Sequence, residues 1–299
     1  MATQWKETYT SDEIEYTNCP LCGDDRQVPL GGQWSLTVVR CQTCSLIYVS
    51  PRLKEPEKNY WGEKEKAIAK YGPIFDGKVS HNRDKNYDMI LKMIQGLKPS
   101  GSFLDIGTHC GFFLRRARDR GWNLYGVEPS PTGSALAREK FGLNVTTGYL
   151  DEARFPTRFF DVVTMLDVIE HVTDPLNLLC EVHRILKNDG ILLIKTPNGE
   201  YNFLKYRILV KALRMYRLDA FDIREHIVHY SQGTITALLQ RADFRMEQCQ
   251  VAYPVQVGEA WKKIGRYLAY RAALVYRALS TGLLPDFCTD MIVIAKKQG

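Results

Sequence analysis

No stretch of the 299-residue chain approaches the roughly 18 consecutive apolar side chains that a membrane span needs, and Met1–Tyr9 is polar. Neither a spanning helix nor a secretory leader is therefore expected, and the chain reads as cytoplasmic. Neither charge sign dominates: Lys and Arg number 40 against 34 Asp and Glu, a net of +6. With 45% hydrophobic and 25% charged residues the composition is that of a globular protein able to bury a sizeable core. A disulfide framework is also missing. Four of the eight cysteines form two CxxC pairs, and Cys110, Cys180, Cys249 and Cys288 are scattered through predicted elements, a usage that fits reduced thiols and a metal. The GxGxxG of a dinucleotide fold is absent as well, which points away from NAD.

What is present begins with Cys19-Pro-Leu-Cys22-Gly23 and Cys41-Gln-Thr-Cys44. Two such loops can turn four thiolates toward one tetrahedral ion, and no open coordination position is suggested. Cys19, Cys22, Cys41 and Cys44 are expected to hold a structural zinc ion in a ribbon over residues 15–50, with strands at Thr37–Val39 and Leu46–Tyr48. Residues 51–80, rich in Lys, Glu, Tyr and Gly, read as a covering segment. An amphipathic helix is predicted from His81 to Leu97.

From there strands and helices alternate. Phe103–Ile106 is a short apolar strand, Phe112–Arg120 a helix stopped at Gly121, and Gly107–Gly111 the turn between them. A second strand, Leu124–Val127, ends in Glu128, 23 residues after Asp105, about the spacing at which an acid meets a ribose in a nucleotide-binding βαβ unit. A helix over Pro131–Phe141, a strand at Leu143–Thr146, a turn at Gly148–Leu150 and a strand at Phe160–Leu166 follow. Asp174-Pro175 caps a helix to Lys187, and Ile191–Thr196 is a fifth strand. A helix over Ser231–Ala242 and strands at Phe244–Val251 and Met291–Ala295 end the series. The prediction is an α/β fold with a doubly wound sheet, whose ligands bind at the carboxyl ends of its strands.

At those ends stand Asp105-Ile-Gly107-Thr-His109-Cys-Gly111, Glu128, Leu166-Asp-Val-Ile-Glu-His171 followed by Asp174-Pro175, and Thr196-Pro-Asn198. Together with the ribbon these resemble the class I S-adenosylmethionine-dependent methyltransferases, in particular ubiquinone-type O-methyltransferases and zinc-ribbon methyltransferases of sugar and natural-product pathways. His109 stands where that family's motif has its middle glycine. The resemblance implies a Rossmann-like seven-stranded sheet over residues 81–299 and S-adenosylmethionine as cofactor. It implies that Asp105, Gly107, His109, Gly111 and Leu166 hold the methionine end, Glu128 the ribose, and Tyr149 and Leu150 the adenine. Arg83 would meet the methionine carboxylate, as an arginine upstream of the motif does in some relatives.

Glu225-His226, followed by Tyr230 and Ser231, resembles a Glu-His segment that serves proton abstraction in sugar C-methyltransferases. Ile223 replaces the tyrosine of that group, so transfer to a hydroxyl of a small-molecule or sugar-containing acceptor is the leading expectation. The candidate catalytic residues are His226, Glu225 and His171, since an imidazole titrating near neutrality can take the proton as the methyl group arrives. Sugar C-methylation, RNA methylation and a non-catalytic cofactor-binding scaffold stand as alternatives.

Two further stretches depart from the minimal fold, helical inserts expected within 201–222 and 255–285. Phe203–Leu218 and Trp261–Leu279 each carry five Lys or Arg and no acid, so the rest of the chain has a net charge of −4 against the total of +6. Arg207, Lys211 and Arg214 are expected on one helical face. Such helices suit an anionic membrane surface, a lid over a free or lipid-linked substrate, or a partner. Neither resembles an RNA-binding module, so nucleic acid is not an expected partner.

Overall fold

The computed structural model describes residues 8–55, 64–215, 219–255, 259–279 and 288–298. Near the start, β1 (Ile14–Glu15) pairs with β5 (Arg52–Leu53), while β2 (Gln27–Gln33), β3 (Leu36–Cys41) and β4 (Ile47–Val49) form an antiparallel meander. Helix α1 (Lys64–Phe75) crosses the expected covering segment, and α2 (Asp84–Leu97) leads into the main sheet.

That sheet is built from β6 (Gly101–Ile106), β7 (Trp122–Glu128), β8 (Val145–Thr147), β9 (Phe160–Leu166), β10 (Leu186–Pro197), β12 (Phe244–Val251) and β13 (Asp290–Lys297). Its order is β12-β13-β10-β9-β6-β7-β8. The pairings from β10 through β9, β6 and β7 to β8 are parallel, and β13 inserts antiparallel between β10 and β12. Helices α3 (Phe112–Ala117), α4 (Pro131–Phe141), α5 (Pro175–Ile185), α6 (Gly199–Lys205), α7 (Gln232–Arg241) and α8 (Ala260–Leu279) fall between the strands, with the two-residue strand β11 (Val228–His229) ahead of α7.

Period-two alternation sorts each central strand into two layers. Leu104, Val163 and Ile194 enter one core, and Phe103, Val162 and Leu193 the other, beneath Ile90, Leu91 and Ile94 of α2. Burying each such side chain stabilises the fold by about 1.5–3 kcal/mol before entropy is counted. Helix starts follow local chemistry: the Ser130 hydroxyl accepts from the Gly133 amide at 3.1 Å and Asp174 from the Asn177 amide at 3.0 Å, each with proline next in sequence.

Three boundaries differ from the sequence reading. Helix α3 stops at Ala117 rather than Arg120, because Arg118 is extended (ψ 149°) and Asp119 takes φ 63°. Helix α5 ends at Ile185, and Leu186 already pairs with Phe160; Asp189-Gly190 lies in an irregularity inside β10. In the first basic insert, α6 continues as a π-helix over Tyr206–Ala212, so Arg214, at φ 55°, lies outside the helix and shares no face with Arg207 and Lys211. Arg217 and residues 280–287 lie outside the described residues.

Strand β11 does not join the main sheet. It adds to the meander, giving a second sheet of order β11-β4-β3-β2.

Candidate active site

The turn after β6 has a backbone path that restricts its residues. Gly107 and Gly111 have φ 72° and 80°, and a Cβ on either would come within 2.5 Å of Val168 or Leu143. His109 sits between them at φ 49°, in the left-handed region that histidine enters more readily than most side chains. Its imidazole remains exposed and meets Tyr71 of α1 edge-on at 5.6 Å, while His81 stacks on Phe112 at 4.8 Å. Tyr71 and His81 therefore wall one side of the turn, a feature no motif in the sequence announces.

Asp105 and Glu128 close β6 and β7, both buried. The Thr164 hydroxyl donates to Asp105 Oδ1 at 2.6 Å, yet burial pushes that carboxyl up to about 7. Glu128 accepts the His109 amide on Oε2 at 2.7 Å and the Ser130 amide on Oε1 at 2.8 Å. Burial raises its pKa, and these two bonds oppose the rise. Each oxygen has a lone-pair direction beyond the amide it accepts, so the carboxylate suits the two hydroxyls of a ribose. Tyr149 is half exposed and its amide donates to Glu152 Oε2 at 2.7 Å, whereas Leu150 is buried in the main core.

At the end of β9 an ion network takes over. Asp167, at φ 57°, pairs with Arg83 at the start of α2 and with Lys195 of β10, and Lys195 also meets Asp290 Oδ1 at 2.6 Å. Burial raises Asp167, but the Lys195 and Arg83 charges outweigh it and hold the carboxyl down at about 2. The guanidinium of Arg83 is thus already engaged by a carboxylate of the protein. Glu170 follows, buried, taking the Thr196 hydroxyl on Oε2 at 3.0 Å; burial, then Asp167, pushes its carboxyl up to about 8.

His171 lies beside Glu170, and the His226 ring stands 4.9 Å from that of His171. Glu170, His171 and His226 bring potential ligand atoms within 4.8 Å of one another. His171 Nδ1 is 2.7 Å from the Glu225 carbonyl oxygen, and the Ile227 amide donates to the Glu170 carbonyl at 2.9 Å. The Glu225–Tyr230 segment is thereby fastened along the end of β9. Burial, then the neighbouring His171 and His229, keeps His226 well below the ordinary imidazole value, in its neutral form. The other side of the segment is the ribbon: β11 pairs antiparallel with β4, and the Val49 amide donates to the Ile227 carbonyl at 2.9 Å. Ile223 is buried among Leu36, Val38 and Phe221, on the ribbon side.

The four cysteines converge: Cys19 and Cys44 sulfurs are 3.4 Å apart, Cys22 and Cys41 3.5 Å, and all four lie within 4.8 Å. A tetrahedron with Zn–S bonds of about 2.3 Å has edges of about 3.8 Å, so the donor set and its spacing fit that ion.

A parallel sheet with one antiparallel strand next to its edge, a glycine turn after its central strand and an acid after the next define a class I S-adenosylmethionine-dependent methyltransferase. Residues 79–249 match the family described as "Methyltransferase domain", and the chain belongs to that family. It is 27% identical over 166 residues to a ubiquinone biosynthesis O-methyltransferase of Rhodopseudomonas palustris, covering 51% of this chain and 63% of the relative. It is 23% identical over 249 residues to the C-methyltransferase NovU of Streptomyces niveus, covering 81% of this chain and 55% of that protein. The chain thus spans less than two thirds of the length of either. An S-adenosylmethionine-dependent methyltransferase from Mesorhizobium loti shares the fold, with a TM-score of 0.51 at 19% identity over 72% of this chain and 100% of that one.

Proposed function

We propose that the chain methylates a hydroxyl oxygen of a small-molecule or sugar-containing acceptor, with His226 as general base and His171 holding the segment that carries it. The observation behind this reading is the close approach of His171 and His226 at the carboxyl end of β9, beside Leu166 and Asp167. S-adenosylmethionine supplies an electrophilic methyl group on a sulfonium. Gly107–Gly111 and Asp105 would hold its methionine end and Glu128 its ribose. A neutral His226 would accept the hydroxyl proton as the oxygen bonds to the methyl carbon and the carbon–sulfur bond breaks to leave the thioether S-adenosylhomocysteine, the imidazolium being stabilised by Asp167. Glu225, the preceding residue, offers a carboxyl whose pKa burial raises and which interacts with His171. Most of the rate would come from placement.

The cysteine cluster is assigned to one structural zinc ion on the fit above. Carbon methylation is the second reading, favoured by the Glu225-His226 pair; with Ile223 buried, no phenol stands at that position to assist it. The test is S-adenosylhomocysteine formation with phenolic and sugar-nucleotide acceptors, compared with the His226→Ala variant. Product from a hydroxyl acceptor, lost in the variant, supports the reading; turnover only with RNA, or cofactor binding without turnover on any acceptor, would overturn it.

A further inference from the structure

Helix α8 turns its apolar side away from the protein. Ile264, Leu268, Val275 and Leu279, spaced four, seven and four apart, form one line along its 20 residues, and all are exposed, Leu268 by 62% and Leu279 by 85%. Tyr267 and Tyr276, also exposed, flank that line on opposite sides. The inward side is held by Ala273, buried against Val251 and Cys288, while Arg266 reaches inward to the Val255 carbonyl at 2.9 Å. A surface helix of a soluble protein shows the opposite arrangement, its apolar stripe on the core. Contiguous exposed apolar surface of this kind marks a contact with something else.

The charges decide with what. Between Ala260 and Leu279 there are five Lys or Arg and no Asp or Glu, and Arg271 lies on the outward side. With no acid anywhere on the helix, a second copy would offer the outward Arg271 no counter-charge, whereas an anionic surface complements it. No helix among the described residues is long and apolar enough to cross a membrane, so the helix would lie in the plane of the surface. Apolar residues along one line, tyrosines at its margins and an excess of cations are the features of a helix seated at the headgroup boundary. We propose that α8 docks the protein on an anionic lipid bilayer, its Ile264–Leu279 line entering the acyl boundary and the outward Arg271 meeting lipid phosphates. This contact is independent of which acceptor is methylated.

The test is flotation of the full chain with vesicles of phosphatidylcholine, or of phosphatidylcholine mixed with phosphatidylglycerol, against the double variant Leu268→Glu, Val275→Glu. Both positions face outward, and unchanged thermal melting and S-adenosylmethionine affinity would show that the variant folds. We expect flotation with the anionic vesicles, weakened by salt, and a loss of about tenfold or more in partitioning for the variant. Absence of flotation on anionic vesicles, equal flotation of the variant, or a dimer seen by light scattering that the variant dissociates would overturn the proposal.

Discussion

Val228 and Tyr48 are register partners across an antiparallel pair, and that pair fastens the segment carrying His226 to the cysteine ribbon. The other face of the same segment bonds to Glu170 and His171 at the end of β9. The candidate base is thus held between two structures far apart in sequence, and disturbing the ribbon should disturb the acceptor side of the site before the cofactor side.

Cys41→Ser removes one of four sulfurs while leaving the glycine turn untouched. We expect the wild type to carry about one zinc per chain and the variant to lose it. Hydrogen exchange should quicken at the Val49 and Ile227 amides, with S-adenosylmethionine affinity changed by no more than a few fold. Wild-type protein without zinc, or unchanged exchange at those amides in a metal-free variant, would remove the assigned coupling.

The pH dependence of turnover reports on His226. Burial, with His171 and His229 close by, holds it below the ordinary imidazole value of 6.5, so the neutral, base form persists into mildly acidic solution. The acid limb of kcat/KM should therefore inflect below pH 6.5, and His226→Ala should lose about 100–10,000-fold in kcat with cofactor affinity retained. The same depression makes a stability contribution that is complete above pH 6.5 and is lost as pH falls from there through the lower folded value. An inflection above 6.5 belonging to this residue would contradict the assignment.

Lys195 is buried between Asp167 and Asp290, and taking it away leaves Asp167 with Arg83 alone and removes the ion-pair partner of Asp290. Lys195→Met should cost about 3–5 kcal/mol in urea unfolding. Asp167 is held down at about 2, so its contribution is present above the ordinary aspartate value of 3.8 and is lost as pH falls toward 2. A variant within 1 kcal/mol of the wild type, on the order of a surface substitution, would show the network to be dispensable.

His109 contributes its amide to Glu128 and adopts a left-handed backbone conformation. Replacement by glycine keeps the amide and relieves about 1–2 kcal/mol of backbone strain, offset by about 0.5–1 kcal/mol of added unfolded-state entropy. We expect stability within about 1 kcal/mol and unchanged cofactor affinity. A tenfold loss of S-adenosylmethionine binding would instead make the imidazole a binding group.

Local chemistry explains what could be read in advance. The glycine turn, the acids ending β6 and β7, and the Asp174-Pro175 and Ser130-Pro131 helix starts are set by neighbours within a few residues. The CxxC spacing likewise foretells the converging sulfurs. Lys195 reads as one more residue of a buried strand, and only the antiparallel entry of β13 brings Asp290 to it. Strand β11 has two residues and a partner some 180 positions away, so no periodicity could reveal it. Composition likewise marks α8 as basic and leucine-rich, but its apolar line facing outward depends on where Ala273 packs.

Calorimetry with S-adenosylmethionine on zinc-loaded full-length protein, comparing wild type with Glu128→Ala and His226→Ala, bears most directly on the division between cofactor side and acceptor side. We expect one site of about micromolar affinity. Glu128→Ala should weaken it by about tenfold or more, because the variant gives up charge-assisted hydrogen bonds, and His226→Ala should leave it unchanged. Absence of binding by the folded wild type, or full affinity in Glu128→Ala, would contradict the assigned site.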